Sequence, residues 1–358
     1  MSEAITLRQA REIVKMCVEQ RVSAYIKGSP GIGKSAIVKQ IAQELNYGIE
    51  IFEGSSLDPT DVRGVMGFDS KSQKSFFSIS PLFPNMDKHR DKAGVILLID
   101  ELGSALPATK VALQPLFHPE DRRLGEHRLP DNVIPMATGN LLTDGSGATA
   151  DSEAMKDRVM MLNVMNPYQD WRMDYALSRK FHPLVLSYLG EFKDSKLNTF
   201  DKRVKSNVKK DYVTHRTWER ISETLTYADK VNMADSLVMS AIAGWAGDGI
   251  AFEVISYKKH FASLPDINKI FAGDNTVPKE PGVLFAMCAM LLVRIEEAAK
   301  KMGLKGAIER VLQYSKHMDA EFQGLVVNDL YNYGEEKEYK KIMLKLPIFE
   351  KEIAPRLF

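Results

Sequence analysis

One stretch, Gly28-Ser29-Pro30-Gly31-Ile32-Gly33-Lys34-Ser35, carries the densest chemical signal in the chain. Its pattern, G-x-x-x-x-G-K-[ST], is the one a cradle for phosphate oxygens requires. The glycines let backbone N–H groups wrap an anion without a Cβ in the way. A lysine at the seventh position supplies a point charge to β- and γ-phosphates, and the following hydroxyl serves Mg2+. Lys34 and Ser35 stand at those positions. The plainer alternative is a glycine-rich turn that happens to end in Lys-Ser, and the flanking elements decide against it. The apolar run Ser23 to Ile26 reads as a strand, and Ala36 to Leu45 has apolar residues at helical spacing. Strand, glycine-rich turn, helix is the context in which the helix dipole also faces the phosphates.

A second group of polar residues follows further along. Asp100-Glu101 closes Val95-Ile96-Leu97-Leu98-Ile99, an aliphatic run that reads as a strand buried on both faces of a parallel sheet. Ligands bind at such carboxyl ends. Asp100 is placed to hold Mg2+ with Ser35, and Glu101 to polarise the water that attacks a γ-phosphate. The alternative is that the pair only caps the next helix. Asn140 ends the strand Val133 to Ala137 and can orient that water without adding charge; the alternative is an ordinary turn asparagine. Arg158 ends a short helix, Glu153 to Arg158, where a finger supplied to a neighbouring subunit would sit. A surface arginine at a helix C-terminus is its alternative. Arg216 starts a helix containing Trp218, and reads equally well as a lid residue reaching the γ-phosphate or as a solvated side chain.

The elements that must position these residues alternate strand and helix up to residue 166, which predicts a parallel sheet flanked by helices. An amphipathic helix is expected over Leu7 to Glu19 and a second strand at Ile49 to Phe52. A helix starts near Asp58 and is broken by Gly64. A β-hairpin insert is expected over Met66 to Ser80. After Asn166-Pro167 the signals become helical. Helices are expected over 171–180, 183–189, 217–228, 234–245 and 250–261, with a lysine-rich loop over 193–212. A linker near 278–281 precedes helices over 283–302, 304–318, 320–331 and 335–346. The expected division is an αβα nucleotide-binding domain over 1–166 with its insert near 65–80, an all-α lid over 167–275, and a C-terminal helical extension over 276–358.

The formal net charge of the 358 residues is +1, so there is no global electrostatic case for nucleic acid or membrane binding. Two cysteines, Cys17 and Cys288, make no disulfide framework or CxxC site. The first residues lack the basic-then-apolar pattern of a secretory leader, and the apolar run from Val283 to Val293 is too short to span a bilayer. A cytoplasmic protein is expected.

Taken in order, Gly28–Ser35, Val95–Glu101, Asn140, Lys156-Asp157-Arg158 and Arg216 resemble the AAA+ ATPases, and within them the MoxR family. Leu57 to Gly64 resembles the lead into that family's helix-two insert, Ser80 to Asn85 its end, and Arg123 to Asn140 the hairpin and sensor strand. Thr214-His215-Arg216-Thr217-Trp218-Glu219 resembles the sensor-two stretch of the lid. The resemblance covers about residues 5–260 and implies a P-loop NTPase fold that binds ATP and Mg2+. It further implies a homo-oligomeric ring, a hexamer, with each site completed by Arg158 of a neighbour. A protein partner carrying a von Willebrand factor A domain is implied for chaperone-like remodelling. Gly103-Ser104 stand where the family has Asn-Arg, and His215 where it has proline. These departures imply a divergent branch, of the kind found in phages and mobile elements. The competing expectation is a nucleic-acid motor or loader contacting phosphates through the basic run Lys202 to Lys210. That run has no interleaved aromatics for base stacking, so nucleic acid is the less favoured partner.

Overall fold

The computed structural model describes residues 4–144, 149–202, 211–333 and 338–357. The basic run from Arg203 to Lys210 therefore lies outside the described residues. The chain forms two compact units, Met1–Asn166 and Pro167–Phe358.

The first unit is built on a six-stranded parallel sheet in the order β1-β10-β2-β9-β6-β3. These strands are β1 (Ile5–Thr6), β2 (Ala24–Lys27), β3 (Gly48–Glu53), β6 (Val95–Asp100), β9 (Val133–Gly139) and β10 (Met160–Met165). Two small antiparallel pairs stand apart from it: β4 (Met66–Asp69) with β5 (Lys74–Phe77), and β7 (Arg123–Leu124) with β8 (His127–Arg128). The helices of this unit are α1 (Leu7–Glu19), α2 (Lys34–Glu44), α3 (Pro59–Arg63), α4 (Pro107–Leu113) and α5 (Glu153–Lys156).

Strand β6 shows why the sheet forms. Ile96 and Leu98 pack into the core beside α1 and α2, while Val95, Leu97 and Ile99 pack into the core on the opposite face. Side chains alternate with a period of two, so an unbroken aliphatic run satisfies both faces at once. Tyr25 and Ile26 divide between the same two cores on β2. Helix α1 starts at a capping box: Gln9 N–H donates to Thr6 Oγ1 at 3.3 Å and Thr6 N–H to Gln9 Oε1 at 2.9 Å. Its buried stripe is Ala10, Val14, Cys17 and Val18, one face at helical spacing. Helix α3 has Asp58 before it and Pro59 at its first position, and stops at Gly64, whose φ is 83°. A Cβ on Gly64 would sit 1.9 Å from the Ser78 carbonyl oxygen, so no other residue fits between α3 and the hairpin.

The second unit is helical. It comprises α6 (Tyr168–Trp171), α7 (Pro183–Phe192), α8 (Asp194–Leu197), α9 (His215–Val231), α10 (Asp235–Ala246), α11 (Asp248–Tyr257), α12 (Lys259–Ala262), α13 (Ile267–Phe271), α14 (Pro281–Ser315), α15 (Ala320–Asn332), α16 (Glu338–Met343) and α17 (Ala354–Leu357). One hydrophobic core contains residues from Tyr168 to Ile353. Within it the Arg172 guanidinium binds the Asp329 carboxylate bidentately, at 2.9 and 2.6 Å, and donates to Tyr168 Oη and the Leu186 carbonyl at 2.8 and 2.9 Å.

Several expectations change here. The helix expected over 171–180 is α6 followed by a π-helical turn, Arg172–Ala176. The lysine-rich segment opens with α8 rather than loop. By contrast, the two helices expected over 283–302 and 304–318 are present: α14 is two helical stretches that meet at a kink at Gly303, whose φ of 74° is non-helical. Helix α13 and strand β1 were not expected. Among the described residues no helix is long and apolar enough to cross a membrane.

Candidate functional site

The sheet order puts β2, β9 and β6 side by side, so the chemistry at their carboxyl ends converges. β2 leads into the glycine-rich loop, which is folded around backbone conformations that suit glycine. Gly31 has φ 76° and Gly33 φ 109°. A Cβ on Gly28 would meet the Val164 carbonyl oxygen at 2.5 Å. Helix α2 then begins at Lys34 with no side chain capping its first turn, so its leading N–H groups face the loop. Asn166 Nδ2 donates to the Ile32 carbonyl at 3.0 Å and steadies the loop from the end of the unit.

Lys34 is largely buried, and its ammonium donates to Gly28 O at 2.7 Å, Ser29 O at 2.9 Å and Asn140 Oδ1 at 3.0 Å. These neutral oxygens hold the cation in the mouth of the loop, where phosphate oxygens can replace them. Ser35 Oγ donates to Asp100 Oδ1 at 2.7 Å. The loop, β9 and β6 are thus linked by two hydrogen bonds that pair a cation with an amide and a hydroxyl with a carboxylate. Ser35 and Asp100 are oxygen ligands, suited to a hard cation. Among the described residues no group of three or more His, Cys, Asp and Glu could hold a metal. Mg2+ takes one or two protein oxygens and completes its shell with phosphate and water, so a hydroxyl and a carboxylate are a donor set it can use.

Glu101 adopts the left-handed conformation, φ 55° and ψ 37°, and its side chain is exposed. It makes no side-chain hydrogen bond to cap the turn Leu102–Ser104 that follows. Its N–H instead approaches Asp100 Oδ1 at 3.2 Å and Thr138 Oγ1 at 3.3 Å.

Arg158 lies just past α5, half-buried, and donates from Nη1 to the Gln114 carbonyl of its own chain at 3.3 Å. Arg216 is the second residue of α9, in the second unit, and is exposed. The structure therefore brings together Lys34, Ser35, Asp100 and Asn140, with Glu101 adjoining. Arg158 and Arg216 are held by other elements.

Two contacts could not be read from the sequence. Thr138 hydrogen-bonds Asp100 through its hydroxyl. Asp151 pairs with Lys27, the last residue of β2, and lies 4.0 Å from Lys110. Lys110 also donates to Thr149 O at 3.0 Å and Oγ1 at 2.7 Å. Burial pushes the Lys110 ammonium below its ordinary pKa, with Asp151 opposing and Lys27 adding to the shift. The Lys27–Asp151 pair ties the root of the glycine-rich loop to the segment that leads into α5. Neither signal is local: a lone threonine in an apolar strand and an aspartate in a turn look ordinary until the topology joins them.

Residues 23–161 match the family described as "ATPase family associated with various cellular activities (AAA)". A curated relative is midasin from Giardia intestinalis, 28% identical over 193 residues; the alignment covers 51% of this chain and 4% of that much longer protein. A solved structure titled as a putative ATPase from Cytophaga hutchinsonii aligns over 96% of this chain and 90% of its own, at 11% identity and a TM-score of 0.35. The match over residues 23–161 and the parallel sheet carrying the glycine-rich loop support an ATPase domain of the AAA kind in the first unit.

Proposed function

We propose that the chain is a ring-forming AAA+ ATPase of the MoxR kind, which hydrolyses ATP to remodel or mature a protein partner. The observation that carries this reading is the pair of hydrogen bonds Lys34–Asn140 and Ser35–Asp100 across the carboxyl ends of β2, β9 and β6. Gly28 to Ser35 wrap the phosphates, and Lys34 exchanges its backbone oxygens for β- and γ-phosphate oxygens. Ser35 and Asp100 would hold Mg2+, which would supply charge neutralisation on the phosphates. Glu101 polarises the attacking water, and Asn140 orients it. Arg158 of one subunit completes the site of its neighbour in a hexamer. Residues 167–275 act as the lid that carries Arg216, and 276–358 as an extension. The β4–β5 hairpin is a partner- or pore-facing insert. The partner carries a von Willebrand factor A domain, and the protein is a cytoplasmic one of the divergent branch described above.

Two variants test the reading. Lys34→Ala is expected to lose nucleotide binding. Glu101→Gln is expected to bind ATP without hydrolysing it, because only the water-polarising group is lost. Turnover by Glu101→Gln at the wild-type rate would show that the water is activated elsewhere. The ATP-bound Glu101→Gln protein then serves as a trap for the partner, with Lys34→Ala as the control. Stimulation of the ATPase by single- or double-stranded DNA, lost at high salt, favours the nucleic-acid motor instead.

A further inference from the structure

We infer that Thr138 is the positioning residue for both carboxylates of this site, an inference that rests on the ATPase reading above. Thr138 is the sixth residue of β9, Val-Ile-Pro-Met-Ala-Thr-Gly, and every residue of that strand is buried. Its own exposure is 0%. A hydroxyl at such a place needs partners for its hydrogen and its lone pairs. The register that pairs Ile99 with Ala137 brings the next residues, Asp100 and Thr138, together. The hydroxyl donates to Asp100 Oδ1. The same oxygen accepts the Glu101 N–H at 3.3 Å.

The second carboxylate is reached through the backbone. Asp100 Oδ1 collects three donors: the Thr138 hydroxyl, the Ser35 hydroxyl at 2.7 Å and the Glu101 N–H at 3.2 Å. One of these, Ser35, has a second task as a metal ligand. Once it turns to that task, Thr138 and the Glu101 N–H remain to hold the Asp100 carboxylate. Glu101 itself sits in the left-handed region at φ 55°, which a residue with a Cβ adopts only when its surroundings hold it there. Its N–H is shared between Asp100 and Thr138, so the threonine fixes the Glu101 backbone as well as the Asp100 side chain. Removing the hydroxyl loosens the metal ligand and the water-polarising residue together, while Lys34 and the loop keep their own hydrogen bonds.

The test compares Thr138→Val, which keeps the branched shape without the hydroxyl, with Thr138→Ser, which keeps the hydroxyl without the methyl. Thr138→Ala joins the set in case valine prevents folding. The probes are ATP for steady-state turnover and a fluorescent ATP analogue for affinity, measured with Mg2+ and with EDTA. Outer-shell partners of metal ligands are worth about 10- to 100-fold in metal affinity or activity, so Thr138→Val should lose that much in kcat and in the affinity gained from Mg2+. Affinity in EDTA should stay at the wild-type value, and Thr138→Ser should recover most of both losses. Wild-type kcat and wild-type Mg2+ gain in the valine or alanine variant overturn the inference. So does a serine variant as impaired as the valine one, which assigns the effect to methyl packing. A wild-type protein that binds nucleotide with a Mg2+ gain but hydrolyses nothing defeats the ATPase reading, and the affinity arms still decide the role of Thr138. A wild-type protein with no Mg2+ gain overturns both.

Discussion

Arg158 separates a catalytic group from a structural one by magnitude. Among the described residues it donates Nη1 to the Gln114 carbonyl at 3.3 Å, and it is half-buried. A hydrogen bond from a charged group contributes about 1.5–3 kcal/mol, and this long, half-buried one belongs at the low end, small beside a domain stability of about 5–15 kcal/mol. Arg158→Ala should therefore stay folded, with a melting temperature a few degrees lower at most. A finger acting on a neighbouring site contributes far more. Its loss lowers turnover about 10³- to 10⁵-fold, equivalent to about 4–7 kcal/mol in the transition state. It spares ATP binding, because the charge it stabilises develops only during transfer.

The assay is ATP turnover by Arg158→Ala, by Lys34→Ala, and by the two mixed in equal amounts under conditions that allow subunits to exchange. One variant has an intact phosphate loop and the other an intact arginine. Random mixing gives about one site in four with both parts if the arginine acts in trans. Activity should then return to about a quarter of the wild-type value, hundreds of times above either parent. No return of activity, with co-assembly verified by size-exclusion chromatography, refutes the trans role and leaves Arg158 as a tether for the chain around Gln114.

Three further outcomes are expected. Replacing Gly67–Phe76 with a two-residue turn should leave folding and basal ATPase unchanged by circular dichroism and turnover, because Met66, Phe68 and Phe76 are exposed and the hairpin's base is closed by Ser78 N–H to Val65 O at 2.9 Å; partner-dependent activity should be lost. Asp329→Asn should destabilise the second unit by about 3–5 kcal/mol in urea unfolding, and Arg172→Met with Asp329→Leu should cost less, since only the single change strands a buried guanidinium. Burial works against the Arg172 charge, and Asp329 outweighs it, so the group stays charged throughout. His182 should make stability fall as pH drops below about 6.5, because burial pushes its folded pKa below the unfolded value despite Asp229 at 2.9 Å, and the unfolded chain then binds the extra proton. Protonation also removes the Nδ1 acceptor that caps α7 through the Leu184 N–H, so His182→Asn should flatten the slope of stability against pH in that range.

How much was legible depended on whether the signal was local. β6 could be read because a run of branched aliphatics has one economical home, a strand covered on both faces. The strand, glycine-rich turn and helix around Gly28 to Ser35 could be read because the glycine spacing demands the positive φ of Gly31 and Gly33 and the flanking residues carry their own periods. β1, at two residues, is too short to show a period. Gly303 could be read as a helix break because glycine has free access to positive φ, and at φ 74° it separates the two helical stretches of α14. The turn at Arg172 to Ala176 widens to a π-helix where Arg172 meets Asp329, a partner 157 residues away.

The site divides along the same line. Lys34, Ser35, Asp100 and Asn140 announce themselves because charged and polar side chains at strand ends are conspicuous against apolar neighbours. Thr138 and Asp151 do not, because their roles exist only after register and topology act. Thr138 meets Asp100 through the β6–β9 pairing, and Asp151 meets Lys27 across 124 residues. What was hidden is therefore the set of residues that hold the visible ones in place. That division has a consequence for reading variants of this chain. Substitutions at the visible residues remove a chemical group and should act on binding or turnover singly. Substitutions at Thr138 or Asp151 move groups that remain present, and should change several kinetic constants together while nucleotide still binds.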